Sequence, residues 1–283
     1  MKKIYKRKYL LTNFLNIFLY NFLKIILFFL SFKIRFKTKS KKQYFKKRYK
    51  DNNLIIFGSS RSINNLTKEE KNLLSKSQIL FMNKNLIFWK HIGIWPDYYY
   101  LADTPMKSNK AIKIFLDTIK VIVEDNLPPP IFLVEKFYEF GFPMNYKKIL
   151  FKYNKSSNLC WSNDLNEDLF GYHGSITTLL NLIDVMKLSK NIMLVGFDMN
   201  DKGYFFENDN SFYNYADKSF YNNQQLHPNA QEINGKNIFS YWHIINDKLK
   251  ESNTKLYSNN KNSLFVKKGL INHLSVKNFY NLK

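Results

Sequence analysis

Leu54-Ile55-Ile56-Phe57-Gly58-Ser59-Ser60-Arg61-Ser62-Ile63 is the stretch that sets the fold. Four consecutive apolar residues with β-branched isoleucines at their centre are the pattern of a short strand buried on both faces. The run stops at a glycine and two serines, which open into a turn. Shortly after it, Thr67 with Glu70 three places on makes a capping box, so a helix is expected over 68–75.

Strands and helices continue to alternate outward from this unit. Gln78-Ile79-Leu80-Phe81-Met82 reads as a second strand ending at Asn83, followed by a helix through 87–91. Asp97-Tyr98-Tyr99-Tyr100-Leu101-Ala102 reads as a third strand ending at Asp103. A helix over 106–118 then leads to strands over 120–123 and 131–134. Farther on, Leu179, Leu182, Ile183 and Met186 lie at helical spacing within a helix over 175–188. That helix feeds a strand over 191–195 and the Gly196-Phe197-Asp198 turn. A helix over 238–249 precedes a strand at Lys255-Leu256-Tyr257. No internal repeat is visible.

The alternation predicts an α/β fold, a Rossmann-like, mostly parallel sheet flanked by helices. Ligands bind such sheets beyond the carboxyl ends of the strands. Gly58, Ser59, Ser60, Asn83 and Asp103 are therefore candidates, with plain strand–helix turns as the bland alternative. Gly58–Ser62 could bring backbone amides close to a phosphate, although it matches neither GxxxxGK[ST] nor GxGxxG. Gly174-Ser175-Ile176-Thr177-Thr178 offers hydroxyls and free amides at a helix start, which is also what an ordinary cap looks like. His227, in Leu226-His227-Pro228-Asn229, could act as a base near neutral pH or simply sit solvated on a loop. Residues 200–235, rich in Asn, Tyr and Phe, read as a lid-like insertion. Its Tyr204, Tyr213, Tyr215 and Tyr221 could donate to a phosphate or stack on a base or sugar.

Composition excludes several classes. With 45 % apolar and 17 % aromatic residues, the 283-residue chain has ample core for folding. A single cysteine, Cys160, excludes an internal disulfide framework and a cysteine-based zinc cluster. Asp198 and Asp201 form DxxD rather than the metal-holding DxD of many glycosyltransferases, and no HxxxH or CxxC occurs. No metal is expected.

The net charge of +22 is unevenly placed. Residues 1–50 hold sixteen Lys or Arg and no acidic residue, while the other 233 hold 28 basic and 22 acidic. A nucleic-acid binder would instead line a folded face with its positive charge. Within 1–50, an apolar run from Leu10 to Phe32 lies between basic clusters. Asn13, Asn16, Tyr20 and Lys24 fall on one helical stripe. This suits a helix lying in the headgroup layer, where anionic lipid attracts each Lys or Arg by about 1 kcal/mol. A membrane span and a buried amphipathic helix are the alternatives. Residues 1–50 are thus read as a membrane-associating leader and linker, and 51–283 as one Rossmann-like catalytic domain.

In order, these segments resemble bacterial sialyltransferases of the Campylobacter lipooligosaccharide type (glycosyltransferase family 42-like). Leu54–Ile63 resembles their first strand and "GNGPSL" turn. Leu80-Phe81-Met82-Asn83-Lys84-Asn85 resembles their "R-x-N" strand end, and Pro96–Pro105 the next strand end. Gly174–Thr177 with Asn191–Asp198 resembles the later helix–strand pair, and also the MptE-like group of bacterial proteins. The resemblance covers roughly 53–260.

The resemblance implies inverting, metal-independent transfer of a sialic acid or related nonulosonic sugar from a CMP donor to a glycan or glycolipid hydroxyl. No cofactor is implied, since the CMP-sugar is itself a substrate. Gly58, Ser59 and Ser60 would face the donor nucleotide and phosphate, Asn83 the phosphate or ribose, and Asp103 the cytidine. Ser175 and Thr177 would contact the donor sugar, with Asp198 also substrate-binding. Tyr204 would donate to the departing phosphate, and His227 would take the acceptor's proton. Ser59-Ser60 departs from the family's Asn-Gly, and Asp103 from its Asn. The implied partners are the CMP-sugar, the acceptor, the membrane surface through 1–50 and, as an open option, a second copy of the chain. The implied location is the cytoplasmic face of the bacterial inner membrane. Two other readings stand beside this one: an MptE-like pyrophosphokinase using ATP and Mg²⁺, and a non-catalytic membrane-bound nucleotide-binding protein.

Overall fold

The computed structural model describes residues 53–101, 109–135, 146–152, 159–200, 203–215 and 226–282. The leader, its membrane-associated helix and Asp103 lie outside the described residues. Among the described residues, no helix is long and apolar enough to cross a membrane.

Eight strands form one sheet: β1 (Asn53–Phe57), β2 (Gln78–Met82), β3 (Tyr98–Leu101), β4 (Ile131–Glu135), β5 (Lys148–Phe151), β6 (Asn191–Val195), β7 (Lys255–Ser258) and β8 (Asn272–His273). Their spatial order is β5-β4-β3-β2-β1-β6-β7-β8, and every neighbouring pair is parallel. The chain runs outward from β1 to β5, then returns to place β6 on the other side of β1.

That position explains the unbroken apolar run with which β1 begins the domain. Leu54 to Phe57 are all 0 % exposed. Ile55 and Phe57 enter one apolar layer, Leu54 and Ile56 the other, because successive side chains leave opposite faces of a strand. Helices α1 (Lys68–Leu74), α2 (Asn109–Glu124) and α5 (Val276–Tyr280) cover the first face, and α3 (Ser175–Val185) and α4 (Trp242–Glu251) the second. The capping box closes as expected: Glu70 N–H donates to Thr67 Oγ1 (3.1 Å) and Thr67 N–H to Glu70 Oε2 (2.9 Å).

The structure departs from the sequence expectations in two places. Residues 120–123, expected as a strand, form the last turn of α2. Their β-branched residues favour a strand locally, but Phe115, Ile119 and Ile122, spaced by four and three, form one buried helical stripe. β5 and β8 were not expected: β5 is an edge strand that is mostly half-buried, and β8 has only two residues. Within the expected lid-like insertion, the described residues 203–215 carry inward-facing aromatics. Tyr204, Phe205, Phe206, Phe212 and Tyr215 are buried in the same layer as Phe57 and Phe81, and Phe206 stacks on Phe88 with ring centroids 3.9 Å apart. Of the tyrosines expected to contact a ligand, Tyr204 and Tyr215 are buried in this layer, and Tyr221 lies outside the described residues.

Two glycines bring β1 and β6 together at their carboxyl ends. A Cβ on Gly58 would lie 2.3 Å from the carbonyl oxygen of Gly196. Gly196 has φ +74°, and a Cβ there would lie 2.6 Å from the Ile63 side chain. Gly58→Ala should therefore destabilise the domain by roughly 1–3 kcal/mol through overpacking, read as a lower urea midpoint. An unchanged midpoint would show that the two turns can separate freely.

Candidate active site

A cavity of about 290 Å³ opens at the carboxyl ends of β1, β2 and β6. This is where the strand order reverses, the place at which open parallel sheets bind ligands. Its walls include Gly58, Ser59, Ser60, Asn83, Ser175, Tyr204 and His227, all named from sequence, together with Lys84, Asn85 and Asn229.

Backbone bonds extend the β1–β6 pairing into the turns. Gly58 N–H donates to Val195 O (2.8 Å), and Ser60 N–H to Gly196 O (3.0 Å). The Ser60 hydroxyl accepts from Asp198 N–H (3.1 Å). Ser59 lies between these fixed points; its carbonyl accepts from Phe205 N–H (3.0 Å). Ser59 therefore borders the cavity on an immobilised backbone.

The β2 side is braced by Asn85, a residue the sequence reading quoted but assigned no role. Its buried amide nitrogen donates to Phe57 O (2.6 Å) and Gly58 O (2.7 Å). Asn83 adopts a left-handed backbone, φ +47°, and its carbonyl accepts from the Tyr99 hydroxyl. Its Oδ1 is sealed from solvent with no partner among the described residues, an acceptor suited to a ligand hydroxyl.

On the far wall, Ser175 and Ile176 form the first turn of α3, whose N-cap Gly174 supplies no side-chain cap. First-turn amides and the positive end of the helix dipole favour an anion there. Thr177 is turned away from the cavity and is 1 % exposed. Its hydroxyl accepts from Tyr172 N–H (2.9 Å) and reaches Gly174 O (2.8 Å). Asp198 is likewise absent from the cavity walls. It is 5 % exposed and accepts from Ser62 Oγ (2.9 Å) and Asn260 Nδ2 (2.7 Å), tying the β1 turn to the loop after β7.

His227 precedes a short 3₁₀ turn, Pro228–Ala230, and its backbone N–H donates to Met199 O (3.2 Å). Its Nδ1 accepts from Asn229 N–H at 3.2 Å, so the neutral ring carries its proton on Nε2. Tyr204 pairs with Ser60 in a β-bridge, and Lys84 Nζ stands 5.1 Å from the centre of its ring. Lys84 is the lysine among the described wall residues. Lys84 and Asn229, like Asn85, stand in the sequence motifs quoted above but were assigned no role there.

The segment bearing Tyr204 is latched at several points. Arg61 Nε donates to both carboxylate oxygens of Glu207 (2.6 and 2.8 Å), Asn64 donates to Phe205 O (3.0 Å), and the Tyr215 hydroxyl donates to Asp117. His91 Nε2 lies 3.0 Å from Asp209 Oδ2. Burial pulls the Asp209 carboxyl upward, but hydrogen bonds from Ser211 and His91 outweigh it, and the net displacement is below the ordinary carboxylate value.

No protein-family model matches the chain, and no curated protein matches it. Among solved structures, it is similar to the MAf glycosyltransferase from Magnetospirillum magneticum (TM-score 0.47, 10 % identity, 84 % of this chain and 35 % of that one). The chain thus spans about a third of that protein. It is also similar to a variant of the sialyltransferase Cst-II in complex with CMP (TM-score 0.47, 13 % identity, 80 % and 87 %). A third is the monofunctional alpha-2,3-sialyltransferase Cst-I from Campylobacter jejuni (TM-score 0.47, 10 % identity, 86 % and 86 %).

A carboxylate held below its unfolded value of about 3.9 contributes stability that is present above that value. The contribution disappears as pH falls through the folded value. Hydrogen-exchange protection of 203–212 should therefore drop on acidification, and Asp209→Asn should flatten that drop. Identical acid profiles would remove Asp209 from the latch.

Proposed function

We propose that the chain is a membrane-associated inverting glycosyltransferase that moves a sialic acid or related nonulosonic sugar from CMP to a glycan or glycolipid hydroxyl. The observation that carries this reading is convergence. Gly58, Ser59, Ser60, Asn83, Ser175, Tyr204 and His227, drawn from motifs far apart in the chain, wall one cavity at the strand-order reversal.

The chemistry needs an anion cradle, a way to stabilise a departing phosphate and a base. The Ser59 turn and the first turn of α3 supply the cradle. Asn83 Oδ1 suits a ribose hydroxyl, and Tyr204 can donate to the leaving phosphate as charge builds on it. His227 takes the acceptor's proton on Nδ1. To do so it exchanges the long bond from Asn229 N–H, a net change of about 1 kcal/mol. The residues provide this without a cofactor, and the basic leader holds the domain at the membrane.

Thermal unfolding of the full chain in detergent, with CMP, UDP, GDP or ATP and with or without Mg²⁺, tests the donor class. CMP should stabilise selectively and without Mg²⁺, by roughly 2.7 kcal/mol at a hundred times its Kd. Selective stabilisation by ATP with Mg²⁺ would instead favour the pyrophosphokinase. His227→Ala should lower transfer roughly 10²- to 10⁴-fold while leaving CMP binding intact. An unchanged rate would remove His227 as the base.

A further inference from the structure

We infer that the amino end of the sheet is the face by which the folded domain docks on an anionic lipid bilayer, with Lys190, Lys250 and Lys255 meeting the lipid phosphates. The inference rests on the membrane association in the reading above and adds which side of the domain faces the lipid.

The first observation is a cluster of unpaired cations. Lys190 immediately precedes β6, Lys255 opens β7, and Lys250 lies in the last turn of α4. Lys255 N–H donates to Lys190 O (2.7 Å). Lys250 and Lys255 border one cavity of about 380 Å³, with Leu249, Asn253, Leu256 and Ile271 among its other walls. All three lysines are exposed, and none makes an ion pair among the described residues. The carboxylates beside them are engaged. Asp184 holds Lys187 at 3.2 Å and accepts from Trp161 Nε1 (2.8 Å), and Glu251 holds Lys248 at 2.7 Å. Asp247, one turn back on α4, is the exposed exception.

The second observation is where the chain enters the domain. Asn53, Asn191 and Lys255 share one rung of three adjacent strands. At about 4.8 Å per strand, Lys255 starts about 10 Å from Asn53. The sequence leading to Asn53 is itself basic, since six of residues 41–50 are Lys or Arg. The entry point and the cluster thus put positive charge side by side, the complement of an anionic surface. On the other flank of β1, exposed Lys76 precedes β2, its Nζ 5.6 Å from the Tyr280 ring centre.

The third observation is the position of the catalytic cavity, at the opposite ends of the same strands. A five-residue strand spans about 17 Å. Docking through the amino ends therefore leaves the cavity mouth clear of the headgroups, whereas docking through the carboxyl ends would cover it. An acceptor anchored in the same membrane then reaches His227 through its glycan.

Acetylation of the lysines of the full chain, read by mass spectrometry with and without vesicles of phosphatidylglycerol and phosphatidylcholine, tests the inference. Lys76, Lys190, Lys250 and Lys255 should lose roughly fivefold or more of their reactivity on the vesicles. Lys68 at the start of α1 and Lys261 after β7, both exposed at the carboxyl end, should keep theirs. The protection should disappear in about 1 M salt. Combined Lys190→Gln, Lys250→Gln and Lys255→Gln should also remove the protection of Lys76, and the three Arg replacements should retain it. Unchanged reactivity of Lys68 and Lys261 shows that the Gln variant is folded. Protection of Lys68 and Lys261 in place of the other four would overturn the assignment by reversing the face. Unaltered reactivity at all six lysines of vesicle-bound protein would overturn it by leaving the contact to residues 1–50 alone. Protection that persists in high salt would overturn the role of the lysine charges. Failure of the wild type to sediment with the vesicles would instead defeat the membrane reading itself, and the docking face with it.

Discussion

The close approach of Gly58 to the carbonyl of Gly196 is the constraint on which the rest of the domain depends. A Cβ on Gly58 would push against the Gly196 carbonyl, and one on Gly196 against the Ile63 side chain that follows the β1 turn. With both absent, the strand ladder continues past the sheet through Gly58 N–H and Ser60 N–H, and the two turns lock through Ser60 and Asp198. The cavity opens beyond these turns, at the carboxyl ends of β1, β2 and β6. Its shape follows from backbone contact, so it is held by the same bonds that hold the sheet.

Several polar residues that resemble ligand contacts are occupied in maintaining that geometry. Asn85 satisfies two carbonyls of the β1 turn, Thr177 links the entry of α3 to Tyr172, and Asp198 joins three loops. Buried polar groups must be paired, and here their pairing fixes the backbone beside the site. The Ser59 turn, the first turn of α3, Asn83, Lys84, Tyr204 and His227 border the cavity itself.

The segment over 203–215 packs into the core beside the site. Its aromatics fill the layer between the sheet and α2, and Arg61–Glu207 and His91–Asp209 pin its outer side. Exposed ion pairs contribute modestly, so most of the holding comes from buried rings such as Phe206 on Phe88. Tyr204 is held within this packed layer, with Lys84 Nζ 5.1 Å from its ring centre.

Local patterns in the chain were enough to determine the α/β class, the buried nature of β1, the capped start of α1 and the residues at strand ends such as Ser59 and Asn83. These follow from periodicity and from hydrogen bonds closed within a few residues, so neighbours in sequence suffice. The tertiary structure decided whatever depends on distant partners. Val121 and Val123 favour a strand locally, yet they belong to a helix because Phe115, Ile119 and Ile122 need one face of the sheet. Tyr204 and Phe206 look alike in sequence, yet one borders the cavity and the other fills the core. Asp198 bears a carboxylate suited to a substrate, but Ser62 and Asn260, brought in from far along the chain, occupy it. Lys84 was one of many lysines until the fold set it over Tyr204, because what surrounds a charge is decided in space.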